Sequence, residues 1–336
     1  MPMMTAEQTD RKPEEPTAER PASDEEVEGP PVLAPGTDLA PGYRVLTHIS
    51  RGQALDVYEV FSEERLCSCI AKVVRPDRRH VERVAVRLRH EGETLLRLAH
   101  PHLVRCWEIL AEPQLTVVLE TIPGTTLEEA IEERERRLPA EDLAHLGRHL
   151  CSVLHYMHAN GVLHLDIRPA NVMSDAGVLK LIDLSLAGTP GPARRGRGTR
   201  DYMAPEQARG GTISAAADVW GVGATLYEAA TGHAPFAPVD EQEKAIRAGD
   251  GYLQLHRAAL PLRHWGRRLP RPLSALIEAC LTPEQELRPT VADLYAGLGR
   301  VLDDIEARDA AREAAREAAA GGIEDAGVIA GAASGR

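Results

Sequence analysis

His164-Leu165-Asp166-Ile167-Arg168-Pro169-Ala170-Asn171, followed twelve residues later by Asp183-Leu184-Ser185, decides how this chain is read. Two carboxylates and a carboxamide stand on successive loops beside short apolar runs. One carboxylate can orient an attacking hydroxyl and accept its proton, while an amide oxygen and the second carboxylate can hold a divalent cation that prefers oxygen ligands. That donor set suits phosphoryl transfer. Its flanks agree with such a placement: Val162 to Leu165 and Val178 to Asp183 read as buried strands around a turn at 175–177, and Asn160-Gly161 ends the helix before them.

Outward from this stretch the two halves of the chain differ in periodicity. Upstream, β-like runs cover Tyr43 to Ile49, Val57 to Ser62, Leu66 to Val74, Leu103 to Leu110 and Leu115 to Glu120, with a helical stretch near 76–98 between the third and fourth. After Pro123-Gly124 the spacing becomes helical, through Leu127 to Ile131 and Leu143 to Met157, and again near 214–231, 241–248, 273–281 and 291–305. The expected fold class is α+β and two-lobed: a small antiparallel sheet lobe with one helix over 41–122, and a larger, mainly helical lobe over 123–302. The lobes join near 120–124.

Charge marks the ends. The 336 residues carry a formal net charge of −12, of which 1–40 holds −7 (three basic, ten acidic) and 303–336 holds −4, leaving −1 for the middle. The first segment is Pro- and Glu-rich and reads as a disordered arm; the last, rich in Ala, Arg and Glu, reads as a solvated helix. A near-neutral body without basic clusters argues against general nucleic-acid binding, and no apolar run reaches the roughly 18 residues of a membrane span. With no signal-peptide pattern the expected location is cytoplasmic. Five cysteines without a C-x-x-C pair argue against a zinc site, and Cys67 and Cys69 read as reduced core thiols. Only four basic residues are lysine, at 12, 72, 180 and 244, so each retained lysine is a candidate for a role arginine cannot fill.

These residues resemble those of the eukaryotic-like (Hanks-type) serine/threonine protein kinases in their bacterial form, whose pattern is H-R-D-x-K-x-x-N followed by D-F-G. The resemblance covers about 43–302 and includes Cys69-Ile70-Ala71-Lys72, Glu91 nineteen residues on, His100-Pro101-His102-Leu103-Val104, Ala204-Pro205-Glu206, Asp218-Val219-Trp220-Gly221-Val222-Gly223 and Leu287-Arg288-Pro289-Thr290. It implies a bilobal kinase fold and transfer of the ATP γ-phosphate to Ser/Thr hydroxyls of a protein substrate. It implies Asp166 as base, Arg168 at the γ-phosphate and Lys72 paired with Glu91. Thr199 would lie against Asp166, and Asn171 and Asp183 would hold Mg²⁺ or Mn²⁺. Ile49, Gly52, Val57, Ile70, Leu119, Glu120, Ile122 and Met173 would surround the nucleotide, and Arg288 would pair with Glu206.

The chain departs from that pattern in several places. Over Ser50-Arg51-Gly52-Gln53-Ala54-Leu55-Asp56-Val57 only the middle glycine of the phosphate loop remains, and Asp56 adds negative charge nearby. Ile70 narrows the adenine roof, and Leu184-Ser185 replaces Phe-Gly. A pseudokinase scaffold with weak or absent transfer is therefore the alternative reading. Leu165 replaces the arginine that receives a loop phosphate in many relatives, so activity is expected not to need loop phosphorylation. The acidic residues 24–28 read as part of a solvated tail, with intramolecular docking on Arg194, Arg195, Arg197 and Arg200 as the alternative.

Overall fold

Along β3 (Leu55–Ser62) the buried Asp56, Tyr58, Val60 and Ser62 alternate with half-buried neighbours, the period-two pattern by which a strand buries one face. This strand lies inside a six-stranded antiparallel sheet with β1 (Asp38–Ala40), β2 (Tyr43–Arg51), β4 (Cys67–Val74), β5 (Cys106–Leu110) and β6 (Thr116–Glu120), in the order β1-β2-β3-β4-β6-β5. The computed structural model describes residues 29–133, 137–175, 177–249 and 251–331. One sheet face carries Tyr43, Val45, Tyr58, Val60, Cys69, Ala71, Val73 and Val118. The other carries Val117 and Leu119, which join Leu88 and Leu95 of α1 (Glu82–Arg97) in the main core.

Residues 29–40 are ordered, which corrects the expected disorder of that stretch. Leu39 and Ala40 are buried and Leu33 packs beside them on the first sheet face. Gly36 donates its N–H to Val45 and Val45 donates to Thr37, at 2.8 and 2.9 Å, and the Pro30 carbonyl accepts from Arg51 at 2.8 Å. So few apolar side chains suffice because they cover an existing apolar face rather than build a core. Residues 1–28, including the acidic 24–28, lie outside the described residues. Cys67 also departs from expectation: it is exposed at the hairpin end of β4, while Cys69 is buried.

The second lobe is built around α5 (Ala215–Thr231), which is apolar on all sides and almost wholly buried, as a central helix must be. Against it pack α3 (Ala140–Ala159) and α7 (Arg271–Cys280), and α8 (Val291–Gly331) packs on those two, while α2 (Leu127–Glu133), α4 (Pro205–Arg209) and α6 (Glu241–Ala248) lie outside this group. Glycine lets α5 approach its neighbours closely. A Cβ on Gly221 would stand 2.7 Å from Ile167, and one on Gly223 would stand 2.4 Å from Cys280. A short sheet of β7 (Thr125–Thr126), β8 (Val172–Asp175) and β9 (Val178–Leu181) lies beneath the lobe junction.

Two strand assignments change. Val162 to Leu165 forms only a single bridge, Leu163 to Gly188, because the N–H groups of His164 and Leu165 are taken by the Asp218 carboxylate. Leu103 likewise makes one bridge to Leu181, and the strand begins at Cys106. The last helix continues past Ile305 to Gly331, and its alanines between 307 and 315 are exposed and propagate the helix without a core to pack on. No helix among the described residues is long and apolar enough to cross a membrane.

Candidate active site

Asp218, buried in the first turn of α5, fixes the loop that carries Asp166. Its Oδ2 accepts from the His164 N–H at 2.9 Å and from His158 Nε2 at 2.7 Å, and its Oδ1 accepts from the Leu165 N–H at 2.7 Å. Leu165 is thereby held at φ +66°, a left-handed conformation that a branched side chain rarely adopts. The next residue presents its carboxylate to three donors. Asp166 Oδ1 accepts from the Thr199 N–H at 3.0 Å and its hydroxyl at 2.7 Å, and Oδ2 accepts from Asn171 Nδ2 at 3.0 Å. Asn171 Nδ2 also reaches the Asp166 carbonyl at 2.9 Å. Arg168 lies beside this group, 3.9 Å from Glu128, and its buried Nε has no hydrogen-bond partner among the described residues.

Lys72 approaches from the small lobe, opposite Val57 on β3 and Val117 on β6. Its ammonium donates to Glu91 of α1 at 2.7 Å and lies 3.8 Å from Asp183 Oδ2. Burial works against the charge on Lys72, but the carboxylates of Asp183 and Glu91 outweigh it and hold its pKa above the ordinary lysine value. Burial pushes Glu91 up despite the ammonium. For Asp183 burial is overcome by Lys72 and by the Ser185 N–H at 2.9 Å, which bring its pKa down to about 2. Asp183 therefore stays ionised at φ +63°, with Leu184 fully buried behind it.

The oxygen donors in this corner fit a hard divalent cation. Asn171 commits its amide nitrogen to Asp166, which leaves the amide oxygen for a metal, and Asp183 supplies an anionic carboxylate. The Ile182 N–H donates to the Asn171 carbonyl at 2.9 Å, tying the two loops together.

The phosphate-loop position is a tight turn closed by the Gly52 N–H on the Leu55 carbonyl at 2.9 Å. Asp56 does not add loose negative charge here, contrary to the sequence expectation. It is buried and held by Arg51 at 2.8 and 3.1 Å, with His48 Nε2 at 3.3 Å. The Arg75 guanidinium, itself buried, donates to the Gly52 carbonyl at 2.9 Å. A Cβ on Gly52 would meet only the Leu55 carbonyl at an ordinary 3.6 Å, so the chain's own packing does not demand glycine there. Of the other nucleotide-side candidates, Val57, Ile70, Glu120, Ile122 and Met173 are half-buried, Leu119 is buried opposite Ile70, and Ile49 is exposed.

The segment after Asp183 is fastened at several points. Glu206 meets Arg288 through two hydrogen bonds of 2.7 and 2.8 Å. β10 (Gly191–Ala193) pairs antiparallel with β11 (Gly211–Ile213), a contact the sequence pattern did not reveal. Arg197 is turned inward, donating to the carbonyls of Leu186 and Ala187 at 2.8 Å each, and Arg200 donates to the Arg247 carbonyl at 2.9 Å. These two are therefore engaged within the lobe rather than presented as an outer docking face. Sequence reasoning also missed Gln207, Gln254 and the Lys180–Glu120 pair at 2.5 Å, which links β9 to the lobe junction. The scarcity of lysine was the one available signal for that pair.

A sheet lobe and a helical lobe bring an ammonium, two carboxylates and a carboxamide together at one corner, the set of groups that phosphoryl transfer requires. The chain belongs to the protein kinase domain family, which it matches over residues 43–297. It is 33% identical over 237 residues to the serine/threonine-protein kinase PkaA of Streptomyces coelicolor, covering 66% of this chain and 41% of that protein. It is 30% identical over 246 residues to the serine/threonine-protein kinase PknB of Mycobacterium tuberculosis, covering 68% and 38%. A probable serine/threonine-protein kinase of Clostridium acetobutylicum is 24% identical over 277 residues, covering 80% and 40%. The aligned region thus spans about two fifths of the length of these relatives.

Proposed function

We propose that this chain transfers the γ-phosphate of ATP to Ser/Thr hydroxyls of a protein in the cytoplasm, with Mg²⁺, or Mn²⁺ in its place, held by Asn171 and Asp183. The observation that carries the reading is the closed Lys72–Glu91 pair with Asp183 at the same ammonium. Asp166 accepts the proton of the attacking hydroxyl. Thr199 and Asn171 hold its carboxylate in one orientation, and with it the hydroxyl, which lowers the entropy cost of reaching the transition state. Lys72 binds the α and β phosphates, and Arg168, whose side chain is 21% exposed, brings its guanidinium to the moving phosphoryl group. The cation, when bound, neutralises phosphate charge. Gly52, where the protein's own packing does not demand glycine, keeps a side chain off the turn that the phosphates approach.

The test is radiolabel transfer from Mg·ATP to a Ser/Thr acceptor protein by wild type, Lys72→Met and Asp166→Asn. Either substitution is expected to lower kcat by about 10³-fold or more, while Asp166→Asn still gives a thermal shift with nucleotide. Wild-type label equal to the variants' background would overturn the reading in favour of a non-catalytic scaffold.

A further inference from the structure

Thr199 is bracketed by two buried carboxamides. Gln207, 2% exposed, donates from Nε2 to the Arg197 carbonyl at 2.7 Å and to the Leu165 carbonyl at 2.9 Å, while its Oε1 accepts from the Ala204 N–H at 2.9 Å. Gln254, 4% exposed, donates from Nε2 to the carbonyls of Arg200 and Met203, each at 2.9 Å. The peptide groups on both sides of Thr199 are thereby fixed, and Thr199 in turn donates twice to Asp166.

The Leu165 peptide is gripped at both ends, its N–H by Asp218 and its carbonyl by Gln207. That double grip keeps a non-glycine residue in the left-handed region directly before the Asp166 carboxylate. Gln207 therefore ties the carbonyl just before Asp166 to the carbonyl two residues before Thr199. Its backbone adds a third tie, accepting the Gly196 N–H at 2.8 Å. The Leu165 side chain is buried and apolar, and so offers no cation to a phosphate on the neighbouring segment. The β10–β11 pair, the inward-turned Arg197 guanidinium and the Asp201–Arg247 and Glu206–Arg288 ion pairs complete a segment ordered by its own side chains and backbone.

We propose that Gln207, seconded by Gln254, is the positioning residue that holds Asp166 and Thr199 in register for the acceptor hydroxyl, in the place a segment phosphate would otherwise fill. The proposal rests on the kinase reading above. A buried neutral bridge is not screened by salt and cannot be removed by a phosphatase, unlike a phosphate–cation latch. Removing its donors leaves two buried carbonyls unsatisfied, which favours loosening of the segment.

The experiment uses the full chain made together with a phosphatase and shown by intact mass to carry no phosphate, as wild type, Gln207→Glu, Gln207→Leu and Gln254→Glu. Phosphate-free wild type is expected to keep kcat within about twofold of the untreated enzyme. Gln207→Glu is expected to lower kcat by about tenfold with KM for ATP nearly unchanged, because a carboxylate cannot donate to either carbonyl. Part of that kcat returns as the pH is lowered and the new carboxyl regains one proton to donate, whereas Gln207→Leu shows no such return. Hydrogen exchange over 191–203 should be faster in both Gln207 variants. A phosphate-free wild type that is silent until the segment is rephosphorylated overturns the proposal, and so does unchanged kcat in Gln207→Glu. If wild type transfers no phosphate in any form, the kinase reading fails and exchange alone decides: unchanged protection over 191–203 sinks the latch, and faster exchange confined there supports it. Should Gln207→Glu not fold, Gln254→Glu is read by the same criteria.

Discussion

Arg51 and Asp56 face each other across the turn that joins β2 to β3, with Nε 2.8 Å from Oδ1 and Nη2 3.1 Å from Oδ2. Asp56 is 1% exposed, so its charge is spent inside the protein and not on the nucleotide side of the turn. A buried carboxylate deprived of its cation costs about 3–5 kcal/mol, part of which relaxation and partial protonation recover. Arg51→Ala is expected to loosen the turn and raise KM for ATP by several-fold with a smaller effect on kcat. Adding Asp56→Asn to that variant should restore most of the affinity. Steady-state kinetics at varied ATP checks both, and a double variant no better than Arg51→Ala alone would show the turn to be held otherwise.

Arg288 binds Glu206 in a fork, donates to the carbonyls of Thr282, Ala216 and Pro283, and lies 4.9 Å from the Trp220 ring centroid. Its side chain is fully buried and that of Glu206 is 11% exposed. Arg288→Met leaves the carboxylate and three carbonyls without these donors, and a loss of about 3–5 kcal/mol in unfolding free energy is expected. Glu206→Gln/Arg288→Met should cost less than the two single losses added together, since each single variant already breaks the same pair. Urea titration of the four proteins measures it.

Lys180 and Glu120 join β9 to the end of β6, and Glu120 Oε1 also accepts the Arg105 N–H at 2.7 Å. Both side chains are roughly a fifth exposed, so the pair is worth more than a surface bridge and less than a buried one. Lys180→Met is expected to lower stability by about 1–2 kcal/mol and to speed hydrogen exchange at 103–106 and 120–122. Protection unchanged in those peptides would mean that backbone pairing alone secures the lobe junction.

What was legible in the sequence follows from how local its cause is. Asp166, Asn171 and Asp183 stand out because phosphoryl chemistry needs those groups at close spacing, and Lys72 stands out among thirty-five arginines. Helices such as 241–248 were readable from their own periodicity, and in the structure the Asp240 carboxylate caps this one by accepting from the Glu243 N–H at 2.8 Å. The strand expected over Val162 to Leu165 failed because its backbone donors go to Asp218, more than fifty residues away. β10 has the sequence Gly-Pro-Ala, which no strand pattern marks, and it forms because β11 is brought beside it. Asp56 looked like a free charge because its partner is set by strand register, and Gln207 and Gln254 looked like ordinary polar residues because their partners are peptide groups.

His149 lies on α3 against His102, with ring centroids 4.1 Å apart and planes 21° from parallel; His145 follows on one side and His100 and Tyr156 on the other. His102 Nδ1 donates to the Leu179 carbonyl at 2.8 Å, which fixes that ring against β9. Burial, then His102, His145 and Arg148, bring the His149 pKa down from 6.5 to about 4. In the unfolded chain the same imidazole takes its proton near the ordinary value. Between pH 6.5 and 4 the unfolded state thus binds a proton that the folded state refuses, so the contribution is complete above about pH 6.5 and is lost as the pH falls toward 4. With solvent screening of this half-buried ring discounted, its size is on the order of 1–2 kcal/mol. His149→Phe keeps an aromatic ring in the stack and removes the titration. The difference in unfolding free energy between wild type and this variant, measured by urea titration at pH 7.5, 6.0 and 4.5, is expected to shift in favour of the variant as the pH drops. Carboxylates that titrate in the same range act equally in both proteins and cancel, so parallel curves would show that His149 is protonated in the folded chain.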